Sequence, residues 1–171
     1  MYPLLGVPTK FLAKLYKFAS YYYFMNKREK KEILVETDEY KKASSPNVLS
    51  CSPGPCYCLV VYDPKSKTAY MSHSHDDFFI KYSIDKIIKS YKKNINEVKV
   101  YLRGGKIYYQ DYKNKSEAEK IHFPERILLV EYIKKHFNEK NIDIEFNDGR
   151  FALNIYFDIE KGELICTPLK I

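Results

Sequence analysis

Three cysteines, Cys51, Cys56 and Cys58, fall within eight residues of this 171-residue chain, and His73 and His75 follow shortly after. A cysteine nucleophile needs an exposed thiolate, a base beside it, a group that orients the base, and N–H donors for the developing oxyanion. Cys56 and His73 supply the first two if the chain between them folds back on itself. Ser50, six residues before Cys56, carries a hydroxyl that can orient the His73 ring. Backbone amides around Gly54, Cys56 and Tyr57 can bind an oxyanion, since glycine lets a carbonyl approach closely. Such chemistry requires no cofactor. The same side chains also read as metal ligands, because Cys51, Cys56, Cys58, His73 and His75 are five zinc-type donors. Their Cys-x4-Cys-x-Cys spacing departs from the usual structural knuckle, and no second knuckle follows. A plainer reading stands beside both: a cysteine next to a strand packs as a small hydrophobe, and a single histidine serves the surface or core.

The elements around these residues bring Cys56 and His73 to one place. Two prolines flank Gly54 in Leu49–Cys56, which excludes a regular helix or central strand and predicts a tight loop. Tyr57–Tyr62 is an unbroken apolar and aromatic run, the pattern of a buried strand. Asp63-Pro64-Lys65-Ser66 is a turn, and Thr68–Ser72 returns antiparallel to complete a hairpin. Counted from the turn, Cys56 and His73 fall at its open end. Cys58 should point the same way but lie deeper, as core, while Cys51 reads as a loop thiol. His75, Asp76 and Asp77 read as a polar loop or as the rim of the site.

Elsewhere, Glu32–Val35 is a short strand and Tyr40–Pro46 a polar loop. Ile84–Tyr91 has helical spacing, Val98–Leu102 is a strand ending at Gly104-Gly105, and Lys106–Tyr109 continues as another. Phe123–Lys140 reads as an amphipathic helix with Ile127, Leu128, Val130, Ile133 and Phe137 inward. Ile142–Phe146, Phe151–Phe157 and Leu164–Leu169 are strands, the first two joined by the turn Asn147-Asp148-Gly149. The pattern predicts an α+β domain: a layered mixed β-sheet or β-sandwich flanked by two or three helices.

The stretch Cys56-Tyr-Cys-Leu-Val-Val-Tyr-Asp63-Pro64-Lys65, followed by Ala69-Tyr70-Met71-Ser72-His73, resembles the signature of the bacterial chemoreceptor glutamine deamidases (CheD). That family carries Gly-Ser-Cys, an apolar strand, Tyr-Asp-Pro and then Gly-Gly-Met-Ala-His. The seventeen-residue interval from Cys56 to His73 is the family's spacing, and Ser50 stands where the family has its catalytic threonine. Lys99–Gly105, Gly149-Arg150, Phe157-Asp158 and Lys161–Leu164 resemble later family strands in the right order, so the likeness runs from about residue 32 to 170. The resemblance implies a protein-glutamine deamidase acting through a thioester, with Cys56, His73 and Ser50 as catalytic residues and a protein bearing a reactive glutamine as substrate. The cytotoxic necrotizing factor toxins share that arrangement and core fold. Two positions depart from the family. Pro55 replaces a serine and has no N–H, and Tyr70 replaces a glycine in a way that can reshape the entrance. Those departures favour the alternative of a non-catalytic protein-binding module that keeps the fold.

The totals bound the rest. With 45% hydrophobic and 30% charged residues the chain reads as a soluble globular domain. Its 29 basic and 22 acidic residues leave a net charge of +7, but lysines interleave with acidic residues and no nucleic-acid motif accompanies them. Crowded cysteines make a poor disulfide framework, which points to reduced thiols and the cytoplasm; a secreted or translocated effector is the other location the resemblance allows. Residues 1–31 read as an N-terminal extension whose helix, Thr9–Met25, carries Phe11, Leu15, Phe18, Tyr22 and Met25 on one face. That helix can pack on its own domain (residues 32–171) or dock to a partner, and Lys10, Lys14 and Lys17 argue against a membrane span.

Overall fold

The computed structural model describes residues 29–91, 95–105, 113–146 and 153–168. The expected N-terminal helix, the Lys106–Tyr109 strand and the Asn147-Asp148-Gly149 turn lie outside them. In chain order the elements are β1 (Glu32–Leu34), β2 (Glu39–Ser44), β3 (Val48–Cys51), β4 (Tyr57–Asp63), β5 (Thr68–Ser74), α1 (Asp77–Ser90), β6 (Lys99–Gly104), α2 (Lys115–His136), β7 (Ile142–Phe146), β8 (Leu153–Asp158) and β9 (Glu163–Pro168). They form an α+β fold of three layers. The two helices cover one face of a five-stranded sheet, β2-β5-β4-β6-β7, and a four-stranded sheet, β1-β3-β8-β9, covers the other. Both sheets are mixed: β6 and β7 run parallel, as do β1 and β3, and the remaining pairs are antiparallel.

Strand β4 is central, and all seven of its residues are buried. A strand covered on both faces must be apolar throughout, which explains the unbroken run Tyr57–Tyr62. Alternation divides its side chains between two cores. Tyr57, Leu59 and Val61 pack with Ile80, Ile84 and Ile87 of α1 and with Leu129 and Ile133 of α2. Cys58, Val60 and Tyr62 pack against Leu49, Cys51, Ile155 and Phe157 of the second sheet. The hairpin forms as expected, with Tyr57 opposite Ser74 and Cys58 opposite His73.

Several expectations are corrected. Tyr40–Pro46 is mostly strand β2, an edge strand whose polar side chains disguise it. Leu49–Cys56 is a loop only after Cys51, since β3 occupies its first residues. Helix α1 begins at Asp77, because the Asp76 carboxylate accepts the Phe78 N–H at 2.8 Å and caps it. The Ser72 and Ser83 hydroxyls, 2.8 Å apart, then pin α1 to β5. Helix α2 starts well before Phe123 and continues across Pro124. Its buried face comprises Ala118, Arg126, Leu129 and Ile133, with Phe137 buried just beyond its end, whereas Ile127 is 57% and Leu128 56% exposed. Ile127 and Leu128 are therefore outward, contrary to the inward assignment.

These two cases predict opposite outcomes. Leu59→Ala, in the fully buried strand, should lower unfolding free energy by about 2–5 kcal/mol. Ile127→Ala should change it by less than about 0.5 kcal/mol. Urea titration followed by circular dichroism measures both.

Candidate active site

The site lies where β4 and β5 begin and end, on the side of the five-stranded sheet that faces β1 and β3. Cys56 immediately precedes β4 and is 8% exposed; His73, near the end of β5, is 5% exposed. Because Cys58 pairs directly with His73, Cys56 is diagonal to His73 across the hairpin. Diagonal neighbours in an antiparallel pair lie about 7–8 Å apart at Cα, close enough for long side chains to interact. By alternation with Met71, His73 points toward the second sheet.

The hydrogen bonding of His73 settles its tautomer. Its Nδ1 lies 3.1 Å from the Val35 carbonyl oxygen, which can only accept. Nδ1 therefore carries the proton of the neutral ring, and Nε2 presents a bare lone pair. That Nε2 is buried and has no hydrogen-bond partner among the described residues. Val35 is held in turn by the N–H bond it donates to the Ser50 carbonyl at 2.8 Å.

Ser50 is linked to the ring only indirectly, through this main-chain bond to Val35. Its own Oγ is buried and without a partner among the described residues. The sequence reading assigns the orienting role to the Ser50 hydroxyl; the group bonded to His73 Nδ1 in the structure is the Val35 carbonyl. Leu49 and Cys51 face the core between the sheets, so alternation turns the Ser50 side chain to the other face of β3.

The loop before Cys56 turns at Gly54, whose φ of +50° favours glycine. The Cys56 N–H donates to the Pro53 carbonyl at 2.5 Å, so this candidate oxyanion donor is engaged in the resting loop. Pro55 beside it is exposed and offers no donor. Tyr57 is already within the sheet, paired with Ser74 and Gly104, and its ring belongs to the helix-side core.

Behind Cys56, Gly105 donates its N–H to the Cys56 carbonyl at 2.7 Å, and Arg126 of α2 donates to the Gly105 carbonyl. A Cβ on Gly104 would collide with the Cys56 carbonyl oxygen, and one on Gly105 with the Tyr57 ring. The sequence reads these two glycines only as the end of a strand; their function is to let β6 approach the Cys56 backbone.

Asp38 also escapes the sequence reading. It sits in the left-handed region, with φ of 59°, in the turn before β2. Its N–H donates to the His73 carbonyl at 2.7 Å, and its carboxylate accepts from Ser74 Oγ at 2.5 Å and lies 3.8 Å from His75 Nδ1. Burial pushes the Cys56 thiol up, and the nearby Asp38 carboxylate and Cys51 thiol push it further. Tyr70, expected near the entrance, instead faces the helix-side core, where its ring stacks on Tyr40 at 6.0 Å. Three residues from His73, it is on the opposite face of β5. Cys51 is not a loop thiol: it belongs to β3 and is buried. Cys58 is core, as expected. Among the described residues, no group of three or more His, Cys, Asp or Glu is placed to hold a metal ion.

No family model and no curated protein matches the chain. Among solved structures it is similar to the Bacillus licheniformis hypothetical protein YfiH, at 12% identity and a TM-score of 0.44, over 63% of this chain and 50% of that one. It is also similar to the Neisseria meningitidis protein NMB0706 of the DUF152 family, at 8% identity and a TM-score of 0.43, over 85% of this chain and 72% of that one. This chain spans half the length of YfiH. At these TM-scores neither likeness carries chemistry across.

A thiol whose pKa is raised holds less thiolate at neutral pH, so its reactivity climbs later on the pH axis. Iodoacetamide labelling of Cys56, resolved by mass spectrometry, should rise through a midpoint above the ~8.5 of a free cysteine. Asp38→Asn removes a negative charge opposing the thiolate while keeping a side chain tolerant of the left-handed region, so the midpoint should move down. An unmoved midpoint would show that Asp38 does not act on this thiol.

Proposed function

We propose that this chain is a cysteine-dependent protein-glutamine deamidase of the CheD-like kind, converting a glutamine side chain to glutamate and releasing ammonia. The observation that carries the reading is the buried His73 Nε2, without a hydrogen-bond partner among the described residues, at the same hairpin end as Cys56. A buried ring nitrogen without a partner is costly, and a site for proton transfer is a reason to retain one. The choice of glutamine rests on the sequence resemblance alone.

Because burial opposes a standing thiolate, the Cys56 proton leaves during attack rather than before it. His73 Nε2 accepts that proton as Sγ bonds to the carboxamide carbon, and the imidazolium stays oriented by the Val35 carbonyl. The oxyanion draws on loop amides at Gly54 and Cys56, the latter exchanging its bond to Pro53 for one to the substrate. His73 returns the proton to the departing ammonia. Water then hydrolyses the thioester, leaving glutamate and free thiol. Ser50, retained as a candidate on the strength of the resemblance, has no step that its hydroxyl must perform.

A second reading, a binding module that has lost catalysis, is favoured by one observation: the Cys56 N–H is already bonded to Pro53, and Pro55 supplies no replacement. Losing one oxyanion donor costs about 2.7–4 kcal/mol in the transition state. In either reading the partner is a protein. No described helix is long and apolar enough to cross a membrane. Cytoplasmic residence, or translocation as an effector, belongs to the same proposal.

Ammonia release from glutamine-bearing protein substrates, measured by a coupled assay, distinguishes the readings. Cys56→Ala and His73→Ala should each abolish release, while Ser50→Ala should retain it within a few-fold. Loss of activity in Ser50→Ala equal to that in Cys56→Ala would restore the hydroxyl as the orienting group. Full activity in Cys56→Ala would refute the mechanism.

A further inference from the structure

The deamidation chemistry uses one of the three crowded cysteines and leaves two. Cys51 and Cys58 are 2% and 1% exposed, with their Sγ atoms 3.1 Å apart. One belongs to β3 of the four-stranded sheet and the other to β4 of the five-stranded sheet, so the two thiols meet across the boundary between layers. Both are free. The segment separating them in sequence, Ser52–Tyr57, is the loop that carries Cys56. A disulfide has an S–S distance of about 2.0 Å, so bond formation asks for an approach of about 1 Å. Cys56 and Cys58, two residues apart along one chain direction, are poorly placed to bridge each other.

We propose that Cys51 and Cys58 close to a reversible disulfide under mild peroxide, and that this bond restrains the loop bearing Cys56. The two thiols give up two protons and two electrons, the S–S bond forms, and one hydrogen peroxide is reduced to two waters. A small-molecule dithiol reverses the step by exchange. Burial pushes the Cys58 thiol well up, so oxidation is slow and selective for a small neutral oxidant. The loop responds because it leaves β3 directly at Cys51 and enters β4 one residue before Cys58. Its inner contacts, Cys56 N–H to Pro53 and Gly105 N–H to Cys56, are those that a shift of either end pulls on. This goes beyond the deamidase reading, and its first readout does not depend on it.

The test is peptide mapping of the full chain after hydrogen peroxide treatment, with remaining thiols alkylated under denaturing conditions. The expected map links Cys51 to Cys58, leaves Cys56 and Cys166 alkylated, and reverts with dithiothreitol; Cys56→Ala shows the same link. In the oxidised wild type, native iodoacetamide labelling of Cys56 falls several-fold and recovers on reduction. Cys58→Ala shows no such peroxide response, and Cys51→Ala serves if that variant does not fold. A link that involves Cys56, or a map in which Cys51 and Cys58 stay alkylatable while Cys56 becomes sulfinic acid, overturns the proposal. A link that forms without altering Cys56 labelling overturns the restraint on the loop.

Discussion

Everything in this fold hangs on the burial of β4 from both sides. With helices against one face and a second sheet against the other, successive side chains of Tyr57–Tyr62 are committed alternately to two cores. A slip of one residue would exchange the contents of the two cores, placing Cys58 among the helices and Leu59 between the sheets. The register with β5 and β6 is thereby pinned, and with it the row His73, Cys58, Arg103 that crosses the sheet. The site inherits its geometry from this constraint: Cys56 is the first residue beyond the strand, and the loop before it joins β3 of one sheet to β4 of the other.

That position governs the electrostatics. Between two sheets the Cys56 thiol loses water, and the nearest carboxylate has the same sign as its thiolate. Burial raises the thiol, and Asp38 adds to the effect rather than opposing it. A raised thiol disfavours a standing thiolate, so in the proposed mechanism the Cys56 proton leaves as attack proceeds. The main-chain bond from His73 to Val35 holds the correct tautomer without adding charge. Gly104 and Gly105 contribute by lacking side chains, and Arg126 steadies them from the helix layer through the Gly105 carbonyl.

The hairpin was legible because its signals are local: an apolar run, bounded by Pro53-Gly54-Pro55 on one side and Asp63-Pro64 on the other. What was hidden depends on distance or on atypical residues. Strand β3 pairs with β8 across more than a hundred residues, for which adjacent sequence carries no mark. Strand β2 has the polar composition of an edge. Helix α2 buries Arg126 in its apolar stripe, where the guanidinium lies 4.6 Å from the Phe146 ring centre, so a search for apolar periodicity settles on the wrong face. Tyr70 was misplaced by proximity to His73 in sequence, although a three-residue interval in a strand puts two side chains on opposite faces. The pairing of Cys51 with Cys58 needed the packing of one sheet on the other.

The bond between His73 and Val35 has a consequence for genetics. A carbonyl oxygen belongs to the peptide backbone and survives replacement of its side chain by almost any other. Screens that substitute residues one at a time will score position 35 by how well the newcomer fills space beneath the sheet, and not by what its oxygen does for the His73 ring. The partner of the imidazole is therefore encoded by the path of the chain rather than by a letter, and any side chain that fills the same core space leaves the ring its acceptor.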